Sequence, residues 1–179
     1  MSNLRLINET SISSSVSSIS VTDVFSSDFD IYQITATDIS TTGTDYTEVD
    51  FRFITSGGSI VTASSYNYGA LQMLEWQAFS DLYATSQAKI RRCFSESTDQ
   101  APEGASASLW VFNPAVAGNY SQVLFQNSNY YGGSYGSSMR GFGILQTLGT
   151  MTGFNAFENN GSRPLASGTF RTYGLRVDK

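Results

Sequence analysis

The stretch from Tyr46 to Ile54 constrains the fold most, because its side chains from Glu48 to Phe53 alternate strictly between charged and apolar. Apolar residues occupy one set of alternate positions and charged residues the other: Val49, Phe51 and Phe53 against Glu48, Asp50 and Arg52. A period of two places these sets on opposite faces of a β-strand, whereas a helix would mix them. We therefore expect a strand with one buried face, one solvent-facing charged face and a firmly set register.

A second strand is expected just before this one. Residues Ile31 to Ile39 are rich in β-branched and aromatic side chains, and the turn-forming run from Ser40 to Asp45 separates the two segments. This arrangement predicts a β-hairpin. Gly57 and Gly58 then predict a tight turn that leads into a third strand over residues 59–64.

The rest of the chain continues the β pattern. Further strands are expected in these segments: 4–8, 16–25, 86–94, 106–112, 120–125, 140–148, 154–157 and 168–177. Roughly ten strands at this spacing predict an all-β protein, an antiparallel β-sandwich of jelly-roll-like type. Between Leu71 and Asp81 apolar residues recur at three- and four-residue steps, so this window is either the one short helix or an irregular loop.

A chain of 179 residues is expected to form one domain with a sizeable core. We assign residues 1–18 to an N-terminal arm or first strand and residues 19–179 to a single β-sandwich domain. The strand over residues 106–112 is apolar on both faces, which predicts a place in the middle of a sandwich or beneath a partner. The arm carries its own apolar residues, Leu4, Leu6 and Ile7, and these are candidate partner contacts.

Composition excludes several classes of function. The net charge of −5 argues against nucleic acid as a partner, and the one basic cluster, at Lys89, Arg91 and Arg92, is expected to be solvated. Histidine is absent and Cys93 is the single cysteine, so catalytic sites that depend on a histidine base and multi-cysteine zinc sites are excluded. No signal peptide and no apolar run of membrane-spanning length is found, so neither secretion by that route nor membrane insertion is expected.

Carboxylates do not suggest a catalytic or metal site. Asp23, Asp28, Asp30 and Asp38 lie at turns and strand ends, and their spacing differs from that of an EF-hand loop. Glu48 and Asp50 alternate on one strand, as solvent-facing charges do. We therefore predict no catalytic residue, no metal, no cofactor and no enzyme activity.

Tyrosines are the other candidate binding residues. Tyr66 and Tyr68 follow the expected third strand, and Tyr130, Tyr131 and Tyr135 lie in the glycine-rich run 127–138, which is expected to be a loop. Exposed aromatic side chains on flexible backbone are used in recognition of protein or sugar. The alternative, that they fold back over the edge of the sandwich, remains open.

Several motifs resemble small virion structural proteins of tailed bacteriophages. They are DIYQI at 30–34, FRF at 51–53, SGGS at 56–59, YNY at 66–68 and SGTFRTYGLRV at 167–177. The resemblance covers about the first third and the last tenth of the chain, and residues 71–151 depart from it. These motifs are structural, so the resemblance implies an assembly role and carries over no catalytic residue.

The resemblance implies a protein made in the host cytoplasm and located in the virion. Our first expectation is a capsid decoration or cement protein that binds the major capsid protein or other virion proteins as a homo-oligomer, with a trimer preferred. The alternative is a tail-fibre or head-fibre domain that contacts a host glycan or protein. An enzyme acting on a glycan is the third reading, and it has the weakest support.

Overall fold

The computed structural model describes residues 3–99, 104–131, 135–159 and 161–175, without the side chains of residues 77, 78, 131 and 135. Within these ranges the chain forms β-strands connected by turns and loops, and no helix. Every strand pairing is antiparallel, and two sheets share one core, so the predicted antiparallel β-sandwich is confirmed.

The described residues contain twelve strands. They are β1 (Leu4–Ile12), β2 (Ser18–Val21), β3 (Ile31–Thr41), β4 (Thr47–Thr55), β5 (Tyr66–Leu74), β6 (Gln77–Gln87), β7 (Glu96–Ser97), β8 (Gly104–Phe112), β9 (Ser121–Tyr131), β10 (Tyr135–Leu145), β11 (Met151–Glu158) and β12 (Leu165–Leu175). The larger sheet has the order β1-β12-β3-β8-β9-β10-β5-β6, and the smaller has the order β2-β11-β4-β7.

The predicted hairpin of β3 and β4 is wrong, although both strands exist. β3 pairs with β12 and β8 in the larger sheet, whereas β4 pairs with β11 and β7 in the smaller one. The ring of Phe25 packs against both, at 4.9 Å from the Tyr32 ring of β3 and 6.4 Å from the Phe53 ring of β4. Alternation shows which face of each strand is buried, and two strands facing each other across a core satisfy it as well as two neighbours do.

Aromatic rings fill the space between the sheets. Phe51 on β4 stacks on Phe154 of β11 at 6.0 Å, and Phe94 meets Phe170 of β12 edge to face at 5.3 Å. All four side chains are essentially inaccessible to solvent. Such pairs add about 0.5–1.5 kcal/mol each beyond the burial of their area. Phe154 of the smaller sheet also lies 6.5 Å from the Phe170 ring of the larger sheet, so this group holds the two sheets together.

The window from Leu71 to Asp81, expected to be a short helix or an irregular loop, instead forms the β5–β6 hairpin. Its turn is formed by Glu75 and Trp76, and Leu74 pairs with Gln77. Each strand alternates with a period of two, but the two-residue turn shifts the phase of alternation. The shift produces the three- and four-residue spacing of apolar residues that is typical of a helix.

Three other local expectations are corrected. The expected loop 127–138 is mostly strand, because β9 and β10 pair as a hairpin, and residues 132–134 lie outside the described residues. Residues 59–64 form only an isolated bridge, between Ile60 and Ile54. Residues 86–94 begin in β6 and continue as a turn that touches β4 through a bridge between Ile90 and Phe51.

Candidate functional site

The outer face of the larger sheet carries a row of large exposed side chains. Tyr83, Phe142, Leu124 and Trp110 lie in cross-strand register on β6, β10, β9 and β8, with Gly69 of β5 between the first two. The exposed fractions are 75% for Tyr83, 46% for Phe142 and 50% for Leu124, and Trp110 is half-buried. We call these four residues, three aromatic side chains and Leu124, the aromatic row. It crosses four strand spacings, or about 19 Å.

Gly69 has no side chain, so the ring of Phe142 can lie over it and the row is not interrupted at β5. A Cβ atom at position 69 would lie 3.1 Å from Cε1 of Phe142 and 3.5 Å from its Cζ. The Phe142 ring therefore leans over the glycine, and any larger side chain would displace it. The result is an aromatic ring that lies over Gly69, between Tyr83 and Leu124.

A polar line runs beside the aromatic row, two residues along each strand. Its members are Asp81, Leu71, Arg140, Gln126 and Ser108, each paired with the next across the sheet. Leu71 is the one apolar member and is 56% exposed. The outer face therefore offers apolar rings on one side and hydrogen-bonding groups on the other.

Two shallow depressions lie between the two lines. One, of about 200 Å³, is lined by Trp110, Leu124, Gln126 and Arg140, among others. The other, of about 330 Å³, is lined by Leu71, Asp81, Tyr83, Arg140 and Phe142, with Gly69, Ala70, Leu82 and Gly141. Arg140 borders both depressions, which makes its guanidinium the polar centre of the face.

Arg140 differs from most basic residues of the described chain because it has no hydrogen-bond or ion-pair partner there. Five others are paired with carboxylates: Lys89 with Asp50, Arg91 and Arg92 with Glu48, Arg163 with Asp45, and Arg171 with Glu9. Arg52 lies over the ring of Phe157, at 4.0 Å from its centre. The Arg140 guanidinium is thus open to an external group.

The predicted tyrosine contacts fall into three groups. Tyr66 and Tyr68 are buried in the core, so neither has surface to offer a partner. The Tyr66 hydroxyl accepts a hydrogen bond from the Phe53 backbone N–H at 2.9 Å and donates one to the Val61 carbonyl. Tyr130 is 47% exposed on the outer face of β9, and the side chains of Tyr131 and Tyr135 lie outside the described residues.

The N-terminal candidates belong to a strand of the sheet. β1 pairs with β12, and Ile7 packs against the core. Leu4 is partly buried, whereas Leu6 is 50% exposed. Leu6 pairs with Tyr173 and continues the line of the aromatic row toward the opposite edge of the sheet, by way of Gln33.

Sequence reasoning did not identify the aromatic row as a site. One signal is present in the sequence, since the strand over residues 106–112 is apolar on both faces and Trp110 belongs to it. Tyr83 and Phe142 lie nearly sixty residues apart in the chain, and only the strand order brings them together. Arg140 gives no signal in the sequence beyond alternating with Phe142.

The charged residues of β4 form a second polar cluster, which lies in the interior. The prediction that this side of β4 faces solvent is therefore wrong. Asp50 is fully buried and Glu48 is 8% exposed, because the segment 88–97 folds alongside β4. That segment brings the basic residues predicted to be solvated. Lys89 Nζ lies 2.6 Å from Asp50 Oδ2, and Arg91 Nε donates to Glu48 Oε2 at 2.8 Å.

The pKa values of the carboxyl groups in this cluster are raised for some residues and lowered for another. Burial raises the pKa of Asp50, and Lys89 offsets only part of the effect. Burial likewise raises the pKa of Glu96, against the opposing charge of Arg92. Burial also acts on Glu48, but hydrogen bonds and charge from Arg91 and Arg92 outweigh it and hold the Glu48 pKa below its ordinary value.

The cluster is built for structure more than for chemistry. Its carboxylates are already paired with basic side chains and are hidden from substrate-sized molecules. In the described part of the chain no group of three or more histidine, cysteine or carboxylate side chains is placed to hold a metal ion. The thiol of Cys93 is buried, and burial raises its pKa, so it is a poor nucleophile. Across the described ranges there is also no helix with the length and apolar character to cross a membrane.

Comparisons with known proteins assign no family to this chain. No protein-family model matches the sequence, and no curated protein matches it. One solved structure with a distant likeness is the CBM2 module of the evolved Dit of Lactobacillus casei BL23 phage J-1, with a TM-score of 0.27 and 9% identity, over 90% of this chain and 70% of that one.

Another is a fructofuranosidase of Schwanniomyces occidentalis in complex with fructosylnystose. Its TM-score is 0.30 and its identity 9%, and the match covers 96% of this chain but 34% of the enzyme. Likenesses at this level carry no argument about fold family or function, so the case for a function depends on the residues themselves.

Proposed function

We propose that this chain is a non-enzymatic protein of a phage virion that attaches to a surface through the outer face of its larger sheet, as a tail-fibre or head-fibre receptor-binding domain would. The exposed aromatic row is the observation that carries the proposal. Flat, rigid aromatic side chains give a large contact area at a low cost in conformational entropy. The virion location comes from the sequence motifs and is part of the proposal.

Binding fits the arrangement of charges better than catalysis does. A glycosidase requires two carboxyl groups facing a substrate, one of them free to act as an acid. The buried carboxylates Glu48, Asp50 and Glu96 instead face basic partners inside the domain. The two depressions of the outer face are lined by one carboxylate, that of Asp81 on the edge strand β6.

Capsid decoration through a free N-terminal arm is harder to reconcile with the fold. Residues 4–12 complete an edge of the larger sheet, so their release would expose the edge of β12. Leu6 is the exposed side chain that a decoration role would use. A homo-oligomer, with a trimer preferred, stays a prediction that light scattering of the purified protein would test.

The proposed function is tested by binding to host cells. Trp110→Ser and Phe142→Ser remove rings from the aromatic row, while Leu148→Ser removes an apolar side chain that is 59% exposed in a loop outside that row. Because an aromatic hot-spot residue near the centre of an interface contributes about 2 kcal/mol or more, each ring substitution should weaken adsorption by roughly tenfold or more. Leu148→Ser should not. Unchanged adsorption by both ring variants, with retained folding, would show that the face does not bind the host.

Copy number separates the two virion roles. Quantitative mass spectrometry of purified particles, relative to the major capsid protein, gives the number of chains per particle. A few copies to a few tens support the fibre role, whereas hundreds support capsid decoration, because shell and tail symmetries differ greatly in multiplicity. Absence from the particle would refute the virion location.

A further inference from the structure

We infer that the outer face binds an acidic saccharide, with Arg140 contacting the acid group and the aromatic row contacting the sugar rings; this rests on the proposed function and specifies its ligand. The inference combines three features of the face: an unpaired guanidinium, two depressions that meet at it, and regularly spaced rings beside it.

The charge argument begins with a comparison of two arginines on the same face. Arg140 and Arg171 lie on one cross-strand line, joined through Gln126, Ser108 and Thr35. Arg171 Nε lies 2.7 Å from Glu9 Oε2, so its charge is already compensated. Arg140 has no such partner among the described residues. A guanidinium that borders depressions lined by aromatic side chains favours a carboxylate or sulfate, to which it donates two parallel hydrogen bonds.

The spacing of the rings suits an extended sugar chain. Tyr83 and Phe142 are two strands apart, as are Phe142 and Trp110, which gives about 9.6 Å for each interval. A chain of pyranose rings lying across the strands could place the apolar faces of alternate sugars on these side chains. Its polar edge would then lie over Arg140 and Gln126, which border the depression next to Trp110.

Other anionic partners fit less well. A nucleic acid presents a phosphate at every nucleotide and needs clustered basic residues, whereas the protein carries a net charge of −5 and this face has one unpaired arginine. Asp81 lines the depression next to Tyr83 and would repel a densely charged chain. A saccharide with isolated acid groups, separated by neutral rings and hydroxyls, meets both conditions.

Matched pairs of polysaccharides test the inference. Polygalacturonate with most of its carboxylates methyl-esterified and the fully esterified polymer share one backbone, and only the first carries isolated carboxylates; sparsely sulfated dextran and dextran form the corresponding pair for sulfate. Affinity is measured by titration calorimetry for the unsubstituted protein and for Arg140→Gln, Arg171→Gln and Trp110→Ala. Circular dichroism and thermal unfolding establish that each variant is folded.

The expected result is binding to an acidic member about tenfold or more tighter than to its neutral partner, a preference that Arg140→Gln abolishes and Arg171→Gln preserves. Preference for the partially esterified polygalacturonate assigns a carboxylate, and preference for the sparsely sulfated dextran assigns a sulfate. Trp110→Ala should weaken binding to both members of a pair and leave their ratio unchanged.

Two outcomes overturn the inference. One is equal affinity for the acidic and neutral members, or a preference that survives Arg140→Gln. The other is no binding to any of the four polysaccharides. If host adsorption still depends on Trp110 in either case, the proposed function stands and only the acidic ligand is wrong. If adsorption is also independent of Trp110 and Phe142, the proposed function fails as well.

Discussion

Glu48 should contribute more to stability than any surface charge of the protein, because it is the acceptor for two arginines. Arg91 Nε lies 2.8 Å from one carboxylate oxygen and Arg92 Nε lies 2.9 Å from the other. The side chain of Glu48 is 11% exposed, and those of Arg91 and Arg92 are 32% and 19% exposed. Glu48→Gln keeps the shape of the side chain and removes its charge.

The magnitude follows from the burial of the three groups. Removing one partner of a fully buried ion pair costs about 3–5 kcal/mol. Arg91 is partly solvated and Arg92 retains Glu96 at 3.2 Å, so we expect a smaller loss, about 2–3 kcal/mol at neutral pH. For a domain of this size the loss corresponds to a fall of roughly 4–12 °C in the unfolding midpoint.

The assay is thermal and urea unfolding of both proteins across the acid range. Because the Glu48 pKa is lowered in the folded state, its contribution is present above the ordinary value of 4.5 and is lost as the pH falls through the folded-state pKa. The difference between the two proteins should therefore shrink below that pH. Asp45→Asn, which breaks an ion pair whose carboxylate is 74% exposed, is the control and should change little. Equal midpoints for Glu48→Gln and the unsubstituted protein at neutral pH would refute the reasoning.

Further predictions concern the same core and the sheet edges. Glu96→Gln should show the opposite pH trend in the same unfolding assay. The raised pKa of Glu96 favours the unsubstituted protein below the ordinary value of 4.5, and this advantage should decline as the pH rises through the folded-state pKa. Gly153→Ala should lower the free energy of unfolding by about 1–3 kcal/mol, because its Cβ would overlap the carbonyl oxygen of Val21. A Cβ at Gly104 meets no atom within 4 Å, so Gly104→Ala is the control and should be tolerated. Equal urea midpoints for the two variants would contradict this. Deletion of residues 1–12 should lower the unfolding midpoint, since it removes β1 from the larger sheet, and an unchanged midpoint would show that β1 adds no stability.

Strands could be predicted from the sequence wherever side chains alternate. Val49, Phe51 and Phe53 lie on the buried face of β4, as expected, and residues 31–39 lie within β3. The pairing of these strands could not be predicted, because alternation identifies the buried face of a strand and not its neighbour. The mistaken hairpin comes from this difference.

The burial of the charged residues on β4 also could not be predicted from the local sequence pattern. Glu48 and Asp50 follow the alternation of a solvated strand face, yet both are covered by a segment some forty residues further along the chain. The basic residues Lys89, Arg91 and Arg92 supply the compensating charge, and this contact is set by the tertiary fold. In the same way, Trp110 could be identified as unusual, but the aromatic row needs the order of five strands.

The pairing of β1 with β12 determines which part of the larger sheet a pulling force on the two strands would load first. Leu4 lies opposite Leu175, so any chain entering at β1 and leaving at β12 passes through one corner of the larger sheet. Tension between those two points would peel the strands apart one pair at a time from that corner, without loading the whole ladder at once. The aromatic row begins three strands inward, at Trp110 on β8, and ends at the opposite edge, at Tyr83. A ligand on the row would therefore stay bound to intact strands while the tethered corner opened.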